Sequence, residues 1–287
     1  MYAITGITGK VGGELARALL AAGEKVRAVV RDAKKGQPWA ELGCEIALAE
    51  MEDASALAKA FTGASAVFIL PPSVFDPAPG YPEARAVIDA VVTALKRAKP
   101  GRVLCLSAIG ADAQQDNLLS QRTLMEVALR ELPTPLTILR AGWFIDNAAW
   151  DVPSARDTGV IYSFLQPLDK AVPMVAAKDV GHVAARLIQE TWTGVRVLEL
   201  EGPTRLTPND IAAAFTRALG KPIRAVAVPR DSWVELFSAA GMKHPIPRAR
   251  MLDGFNEGWI EFADGGRQAI KGSITADEVI SPLVAAV

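Results

Sequence analysis

The sequence predicts an α/β fold built on a doubly wound parallel sheet. Short apolar segments typical of buried strands alternate with segments of helical periodicity from residue 2 to residue 200. The first pair is the strand Tyr2–Thr5 and a helix that starts near Val11 and stops at Gly23. Alternation of this kind requires right-handed crossovers and covers both faces of the sheet with helices.

Further strands and helices continue this pattern. Asp53 is predicted to cap a helix that runs to Phe61, and Asp179 is predicted to start another. Ligands of such sheets bind at the carboxyl ends of the strands, so we expect the chemistry in the loops that follow them. The other predicted strands, which are short and rich in β-branched or other apolar residues, are 26–30, 66–70, 103–106, 136–139 and 195–200.

A smaller C-terminal α+β domain is predicted to cap the carboxyl edge of the sheet. Thr207 begins a helix with a first-turn proline and an acid at the third position, and Asp231 is predicted to cap a helix that ends at Gly241. The expected boundaries are 1–150 with 176–200 for the sheet domain, and 151–175 with 201–287 for the cap.

The composition argues against several classes of protein. The 287 residues carry a net charge of −1 with no basic stripe, so direct nucleic-acid binding is not expected. Cys44 and Cys105 lie in apolar segments and are interpreted as buried small side chains rather than a disulfide. We see no signal peptide and no apolar run of about 20 residues, and therefore expect a cytoplasmic protein without a membrane span.

The turn after the first strand predicts a dinucleotide site. Gly6, Gly9 and Gly12 are spaced G-x-x-G-x-x-G between a strand and a helix. These glycines permit a tight turn, a close approach of pyrophosphate to the backbone, and close packing of helix on strand. The free N–H groups of the helix N-terminus then face the phosphates. Lys10 either adds positive charge there or is an ordinary solvated lysine.

The end of the second strand predicts the type of cofactor. Arg31 follows Val30 where NAD sites usually carry an acid. An arginine can bind a 2′-phosphate through two hydrogen bonds, and Lys34 and Lys35 lie nearby, so we expect NADP(H). Asp32 either caps the next helix or contacts a ribose, and Arg31 itself has an alternative interpretation as a surface arginine.

Several stretches together resemble a known family. They are ITGITGKVGGELARALLAAG, VRAVVRDAKK, LCLSAIGAD, PLTILRAGWFIDN, PMVAAKDVGHVAARLI and LEGPTRLTPNDIAAAFTRALGKPI. In order and along nearly the whole chain, they resemble the NmrA-like branch of the atypical short-chain dehydrogenases/reductases, and within it the quinone oxidoreductase type. The resemblance implies a Rossmann core, a C-terminal substrate domain, and NADP(H) in the cleft between them.

The resemblance also implies roles for individual residues. The pyrophosphate would be lined by Gly6, Thr8, Gly9, Lys10 and Val11. The 2′-phosphate would be held by Arg31, and the adenine would lie near Glu50. The ribose and nicotinamide would meet Leu70 and Pro71, and the nicotinamide end would lie above Ser107. The pocket walls would be Gly142, Trp143 and Phe144.

One departure from the wider superfamily bears on the chemistry. Ordinary short-chain reductases place a tyrosine four residues before a lysine, which lowers the tyrosine pKa for proton transfer. This chain has Leu118 and Arg122 at those positions, and none of its three tyrosines is followed by a lysine at that spacing. Arg122 is interpreted as a ligand of the ribose or of an anionic substrate, or as a surface arginine.

Two functions remain open from the sequence. The first is a reductase that passes hydride from NADPH to a quinone-like or other small electrophilic acceptor, with Ser107, Arg122, Trp143 and Asn147 as candidate catalytic residues. Trp143 either stacks on the acceptor or packs the cap onto the core, and Asn147 either orients a carbonyl or forms a turn.

The second function is a redox-sensing regulator that binds NADP(H) and acts through a protein partner. A homodimer is also open. A metal site is not expected, since His182 and His244 lack ligands at suitable spacing.

Overall fold

The computed structural model describes residues 1–286. The strands are β1 (Tyr2–Thr5), β2 (Val26–Val30), β3 (Glu45–Leu48), β4 (Ala66–Ile69), β5 (Val103–Ala108), β6 (Leu136–Ala141), β7 (Trp143–Phe144), β8 (Val160–Ser163), β9 (Met174–Val175), β10 (Val195–Glu201), β11 (Arg224–Ala227) and β12 (Ile270–Lys271). The α-helices are α1 (Lys10–Ala21), α2 (Ala33–Glu41), α3 (Ala54–Phe61), α4 (Pro82–Ala98), α5 (Ser120–Arg130), α6 (Val152–Thr158), α7 (Ala177–Gln189), α8 (Pro208–Leu219), α9 (Trp233–Ala239), α10 (Ile246–Glu257) and α11 (Ala276–Ala285).

Eight strands form one parallel sheet in the order β12-β10-β6-β5-β4-β1-β2-β3. The predicted doubly wound fold is therefore confirmed. The strand order reverses between β1 and β4, which pair in parallel. At this switch the buried Thr5 hydroxyl donates to the Phe68 carbonyl (3.0 Å) and accepts from the Leu70 N–H (2.8 Å). Chain segments leave the two strands in opposite directions here, which opens the crevice where ligands of this fold bind.

Both faces of the sheet are buried, as the uninterrupted apolar strands predict. Successive residues of a strand point to opposite faces. In β4, Phe68 therefore packs with the core that includes α1 and α7, whereas Ile69 packs with the core that includes α3, α4 and α5. This arrangement holds the strand ends, and the loops that follow them, in a fixed order along one edge.

A third core lies in the C-terminal part of the chain. It contains residues of β8 and of the helices α6, α8, α9, α10 and α11, and its largest fully buried side chain is Trp233. Ile145 and Ala148, from a 3₁₀ segment at Ile145–Asp151, also belong to this core. Conversely, β12 from the C-terminal part of the chain pairs with β10 and forms an edge strand of the central sheet. Ile145 and Ala148, expected in the sheet domain, thus pack in the C-terminal core, and β12, expected in the cap, belongs to the sheet.

The helix starts test the capping predictions. Asp53 accepts from the N–H groups of Ser55 and Ala56, and Thr207 forms a complete capping box with Asp210, as predicted. The helix predicted at Asp179 is present but starts two residues earlier, and the predicted cap at Asp231 is wrong. Helix α7 begins at Ala177, ahead of Asp179, and Asp231 lies in the 3₁₀ segment Arg230–Ser232 without capping α9.

Asp179 instead ties the end of the chain to α7. Its buried carboxylate accepts from the N–H groups of Ser273 (3.0 Å) and Ile274 (2.9 Å). The sequence placed the helix start at Asp179 because an acid is common in the first turn of a helix. In the structure the carboxylate is instead the acceptor for these two backbone N–H groups, which fixes the segment after β12 against α7.

We expect Asp179→Ala to lower the free energy of unfolding by about 2–4 kcal/mol, since two backbone N–H groups lose a buried charged acceptor. Urea unfolding measures the change. The neighbouring Lys178 is exposed, and Lys178→Ala is expected to change stability by less than about 0.5 kcal/mol. Equal effects of the two substitutions would contradict this role of Asp179.

Candidate active site

The glycine-rich turn forms an open cradle at the start of α1. A Cβ added at Gly12 would lie 2.4 Å from the Gly6 carbonyl oxygen, and one at Gly6 would lie 2.4 Å from Leu70 Cδ2. Gly6 also has a φ of +66°, which other residues rarely adopt. No side chain caps the N-terminus of α1, whose N-cap is Gly9. This geometry fits a pyrophosphate bound at a helix N-terminus.

The other predicted phosphate-side residues surround this cradle. Thr8 and Lys10 are exposed, whereas the Val11 side chain is buried, so Val11 offers only its backbone. The Lys10 ammonium contacts Asp146 Oδ1 at 2.9 Å. The second oxygen of Asp146 accepts from the Ala177 N–H at 2.8 Å, at the start of α7. Sequence analysis missed this bridge, because it joins positions far apart in the chain.

Arg31 and Glu50 lie side by side at the ends of β2 and β3. Their side chains are 72% and 58% exposed, and Arg31 Nε is 3.9 Å from Glu50 Oε2. So loose a pair leaves the guanidinium able to bind another anion. Asp32 Oδ1 accepts from the Lys34 N–H at 2.8 Å and caps α2, which decides between the two interpretations of Asp32. The arrangement fits a 2′-phosphate at Arg31.

A cavity of about 650 Å³ opens at the carboxyl ends of β4, β5 and β6 and extends into the C-terminal core. This volume suits a small-molecule site. Of the residues predicted for the site, the cavity is lined by Leu70, Ser107, Arg122, Gly142, Trp143, Phe144 and Asn147. Pro71 is buried beside it, and no residue of the glycine-rich turn lines it. The cavity therefore occupies the part of the crevice away from the phosphate cradle.

Ser107 is anchored from behind by a buried carboxylate. Its hydroxyl donates to Glu126 Oε1 at 2.5 Å. Glu126 in turn accepts two hydrogen bonds from Arg140, at 3.0 and 2.8 Å, and Arg140 also donates to Asp112. The network satisfies the buried charges of Glu126 and Arg140. Because the Ser107 proton is held by Glu126, the Ser107 oxygen faces the cavity as an acceptor.

Arg122 holds the proline-rich loop that follows β4. Its guanidinium donates to the Pro71 carbonyl (2.9 Å) and to Ser73 Oγ (2.7 Å). Burial lowers the pKa of Arg122. The predicted tyrosine-equivalent position, Leu118, lies ahead of α5 and is buried. The arginine at the lysine-equivalent position thus positions a loop in this structure, and its contact with substrate remains a prediction.

The same loop has two further attachments. The Gln121 amide donates to the Val74 carbonyl at 2.9 Å. The Asp76 carboxylate accepts from the N–H groups of Lys243 (2.8 Å) and His244 (2.6 Å), which lie beyond α9. Together with Arg122, these contacts connect the loop to both the sheet domain and the C-terminal core across the cavity.

Aromatic side chains form much of the cavity wall. Trp143 contacts Phe255 edge to face, with ring centroids 5.4 Å apart. Trp143 therefore packs against the C-terminal core and also lines the cavity, and its stacking on an acceptor remains a prediction. Phe75 and Trp150 are 54% and 65% exposed and meet edge to face at 6.5 Å. Aromatic walls of this kind favour a flat apolar ligand.

Asp151 is a functional candidate that the sequence analysis missed. It lines the cavity with Asn147 and Ser154, and within residues 1–286 its carboxyl makes no hydrogen bond or ion pair. Burial raises the pKa of Asp151 to about 6. The available signal in the sequence was an acid between Trp150 and Val152, at the edge of an apolar segment. An acid without a partner in a cavity can hold a proton near neutral pH.

The remaining predicted features are peripheral. His182 lies 3.6 Å from Glu14, and His244 lies 3.7 Å from Asp76. Within the described residues no cluster of metal-ligating side chains occurs, and both cysteines are buried and free. None of the described helices is long and apolar enough to cross a bilayer.

The raised pKa of Asp151 makes stability depend on pH. The folded state holds this proton more tightly than the unfolded chain, so stability falls as pH rises from about 4 to about 6. We expect Asp151→Asn to raise the free energy of unfolding by about 1–3 kcal/mol at pH 8 and to change it little at pH 4. Urea unfolding at both pH values measures this. The exposed Asp157→Asn serves as control, and an equal shift at both pH values would contradict the burial of Asp151.

Comparisons with known proteins agree with this geometry. NAD(P)H azoreductase of Xenophilus azovorans is 27% identical over 252 residues, covering 87% of this chain and 84% of the relative. Quinone oxidoreductase 2 of Escherichia coli (strain K12) is 28% identical over 225 residues, covering 78% of this chain and 76% of the relative.

A solved structure is similar along the whole chain. The NADPH-dependent quinone oxidoreductase of Escherichia coli complexed with NADPH aligns with a TM-score of 0.80 at 25% identity, covering 99% of both chains. The family model described as the NmrA-like family matches residues 2–258. Because this match covers most of the chain, the chain belongs to the NmrA-like family, and the glycine-rich turn and the adjoining cavity agree with that assignment.

Proposed function

We propose that this protein uses NADPH to reduce a flat, electron-poor acceptor of the quinone class. The chain is an oxidoreductase that uses a nicotinamide cofactor, and the proposal concerns the acceptor and the preference for NADPH. The observation that carries it is the aromatic cavity of about 650 Å³ at the carboxyl edge of the sheet, next to the glycine-rich cradle. The approximate division into a sheet domain and a substrate domain belongs to the same proposal.

The chain supplies binding groups for each part of the cofactor. The cradle from Gly6 to Gly12, with Thr8 and Lys10, would hold the pyrophosphate, and Arg31 the 2′-phosphate. Glu50 would lie by the adenine. Leu70, Pro71 and Ser107 would border the ribose and nicotinamide, and Gly142 and Phe144 the pocket wall. When bound, NADPH supplies a hydride.

A quinone suits a site that lacks a Tyr-x-x-x-Lys pair. Reduction to the hydroquinone consumes one hydride and one proton, and the aromatic rings already favour a flat molecule. The Ser107 hydroxyl is committed to Glu126, so it does not donate in this arrangement. The Asp151 carboxyl, whose pKa burial raises to about 6, is the acid in the cavity that can give this proton. Trp143 and Asn147 would contact the acceptor.

We expect Arg31→Glu to weaken NADPH binding by about ten- to a hundredfold, since a charge-assisted contact with the 2′-phosphate is lost. NADH lacks that phosphate, so its dissociation constant should change little. Fluorescence titration measures both values. Arg267→Glu, at an 80% exposed position, makes the same charge change elsewhere and should affect neither cofactor. An equal loss for both cofactors in Arg31→Glu would overturn the NADPH assignment.

Turnover tests the reductase itself. Purified protein should oxidise NADPH only when a quinone is added, and it should use NADPH in preference to NADH. Absorbance at the reduced-nicotinamide band follows the reaction with 1,4-naphthoquinone and related quinones. NADPH oxidation that proceeds equally well without a quinone, or none at all with the quinones tested, would contradict the proposed function.

One observation favours a second function, a redox-sensing regulator. Leu118 and Arg122 replace the tyrosine and lysine of ordinary short-chain reductases, and Arg122 is occupied with the loop after β4. Such a protein would bind NADPH and NADP⁺ with different affinities and pass the difference to a protein partner. Strong selectivity between the two oxidation states, without turnover, would support this function instead.

A further inference from the structure

Arg248 stands in the same cavity with its charge uncompensated. It lies on α10 and lines the cavity from the C-terminal core. In the part of the chain that the structure describes, its one hydrogen bond goes to the Met242 sulfur at 3.8 Å, which is a weak acceptor. Burial lowers the pKa of Arg248, and no carboxylate offsets that effect.

Other arginines of this region are paired with acids. Arg205 contacts Glu201 and Glu261, Arg217 contacts Asp277, and Arg230 and Arg250 share Asp253. A half-buried guanidinium without such a partner costs free energy, because its charge is removed from water and nothing replaces the lost hydration. An anion in the cavity would supply the missing partner.

The surroundings of Arg248 hold it ready for a ligand. Its guanidinium stacks on Phe237, 4.6 Å from the ring centroid. Stacking leaves the N–H donors in the plane of the group free to bind an anion in a fork. The second guanidinium of the cavity, on Arg122, already donates to Pro71 and Ser73. Arg122 also lacks a carboxylate partner, but two oxygen acceptors hold its guanidinium, whereas among the described residues Arg248 has no oxygen acceptor.

The phosphates of the cofactor are not the anion in question. No residue of the glycine-rich turn lines this cavity, and Arg31 lies at the end of β2. Arg248 shares the cavity instead with Trp143 and Phe255, which form its aromatic wall.

We propose that the acceptor is a flat aromatic molecule that carries an anionic substituent, a carboxylate or sulfonate, and that Arg248 binds this substituent. The inference rests on the proposed reductase function and specifies its substrate class. Arg248 thereby acts as a specificity residue, while the ring of the acceptor lies against the aromatic wall.

A binding experiment without cofactor tests the anion site directly. The probes are naphthalene-2-sulfonate and its neutral counterpart naphthalene-2-sulfonamide, titrated by isothermal calorimetry. The wild-type protein should bind the sulfonate about ten- to a hundredfold more tightly than the sulfonamide. Arg248→Met should abolish this difference without weakening the sulfonamide, and Arg248→Lys should retain part of it. Arg250→Met, on the same helix, should behave as wild type.

Kinetics separate this inference from the reductase function. The ratio of kcat/KM for 1,4-naphthoquinone-2-sulfonate to that for 1,4-naphthoquinone should fall about tenfold or more in Arg248→Met, because intrinsic reactivity cancels in the comparison. Equal ratios in wild type and variant, or sulfonate binding no tighter than sulfonamide binding, would overturn the role of Arg248. That outcome leaves turnover of the neutral quinone intact, whereas failure of the reductase function removes turnover of both.

Discussion

The structure depends on the reversal of strand order between β1 and β4. These two strands are paired, but the segments that follow them diverge to opposite faces of the sheet, so a crevice forms beyond the strand ends at this point. The Thr5 hydroxyl bridges the two strands there, donating to Phe68 and accepting from Leu70. Beyond it the glycine-rich turn leads into α1 and the proline-rich loop leaves β4. The Thr5 contacts therefore fix the starting points of both the glycine-rich turn and the proline-rich loop.

The polar groups around the cavity fall into two sets: those whose charges are paired within the protein, and those without a charged partner among the described residues. Glu126 and Arg140 form a closed network with Ser107, so their charges are compensated within the fold. Asp151 and Arg248 have no such partners and face the cavity. A buried charge without a partner is unfavourable. Such groups are typical of functional sites, where a bound ligand pairs the charge or a bound proton neutralises it. The first set fixes the wall of the cavity, and the second set is the one to which the proposed roles in acceptor binding and proton transfer are assigned.

The proline-rich loop connects two cores that the chain builds separately. Arg122 and Gln121 attach the loop to α5, and Asp76 attaches it to the segment after α9. Access to the cavity therefore depends on residues of both cores. In the same way, the Lys10–Asp146 contact joins the phosphate cradle to the segment that carries Asn147 and Asp151. The proposed cofactor and acceptor sites are thus joined by contacts within the fold.

Local sequence patterns were enough to predict most strands and helices of the sheet domain and its glycine-rich turn. Strand and helix periodicity, the glycine spacing and the caps at Asp53 and Thr207 depend on residues close together in sequence, so the sheet and its cradle were predictable. The parallel, doubly wound character of the sheet also followed, because strands that alternate with helices require right-handed crossovers. Asp179 shows the limit, since the sequence predicted a helix start there, whereas its carboxylate accepts from backbone groups near residue 273 and the helix begins at Ala177.

The tertiary structure alone decided the interior of the site. Glu126 meets Ser107 only when α5 packs on β5, and Arg248 enters the cavity only when α10 folds over the sheet edge. Neither position stands out in sequence, because an isolated acid or arginine on a helix is usually solvated. Periodicity reports which face of an element is buried. Which charges that burial leaves unpaired is determined by contacts between segments far apart in the chain.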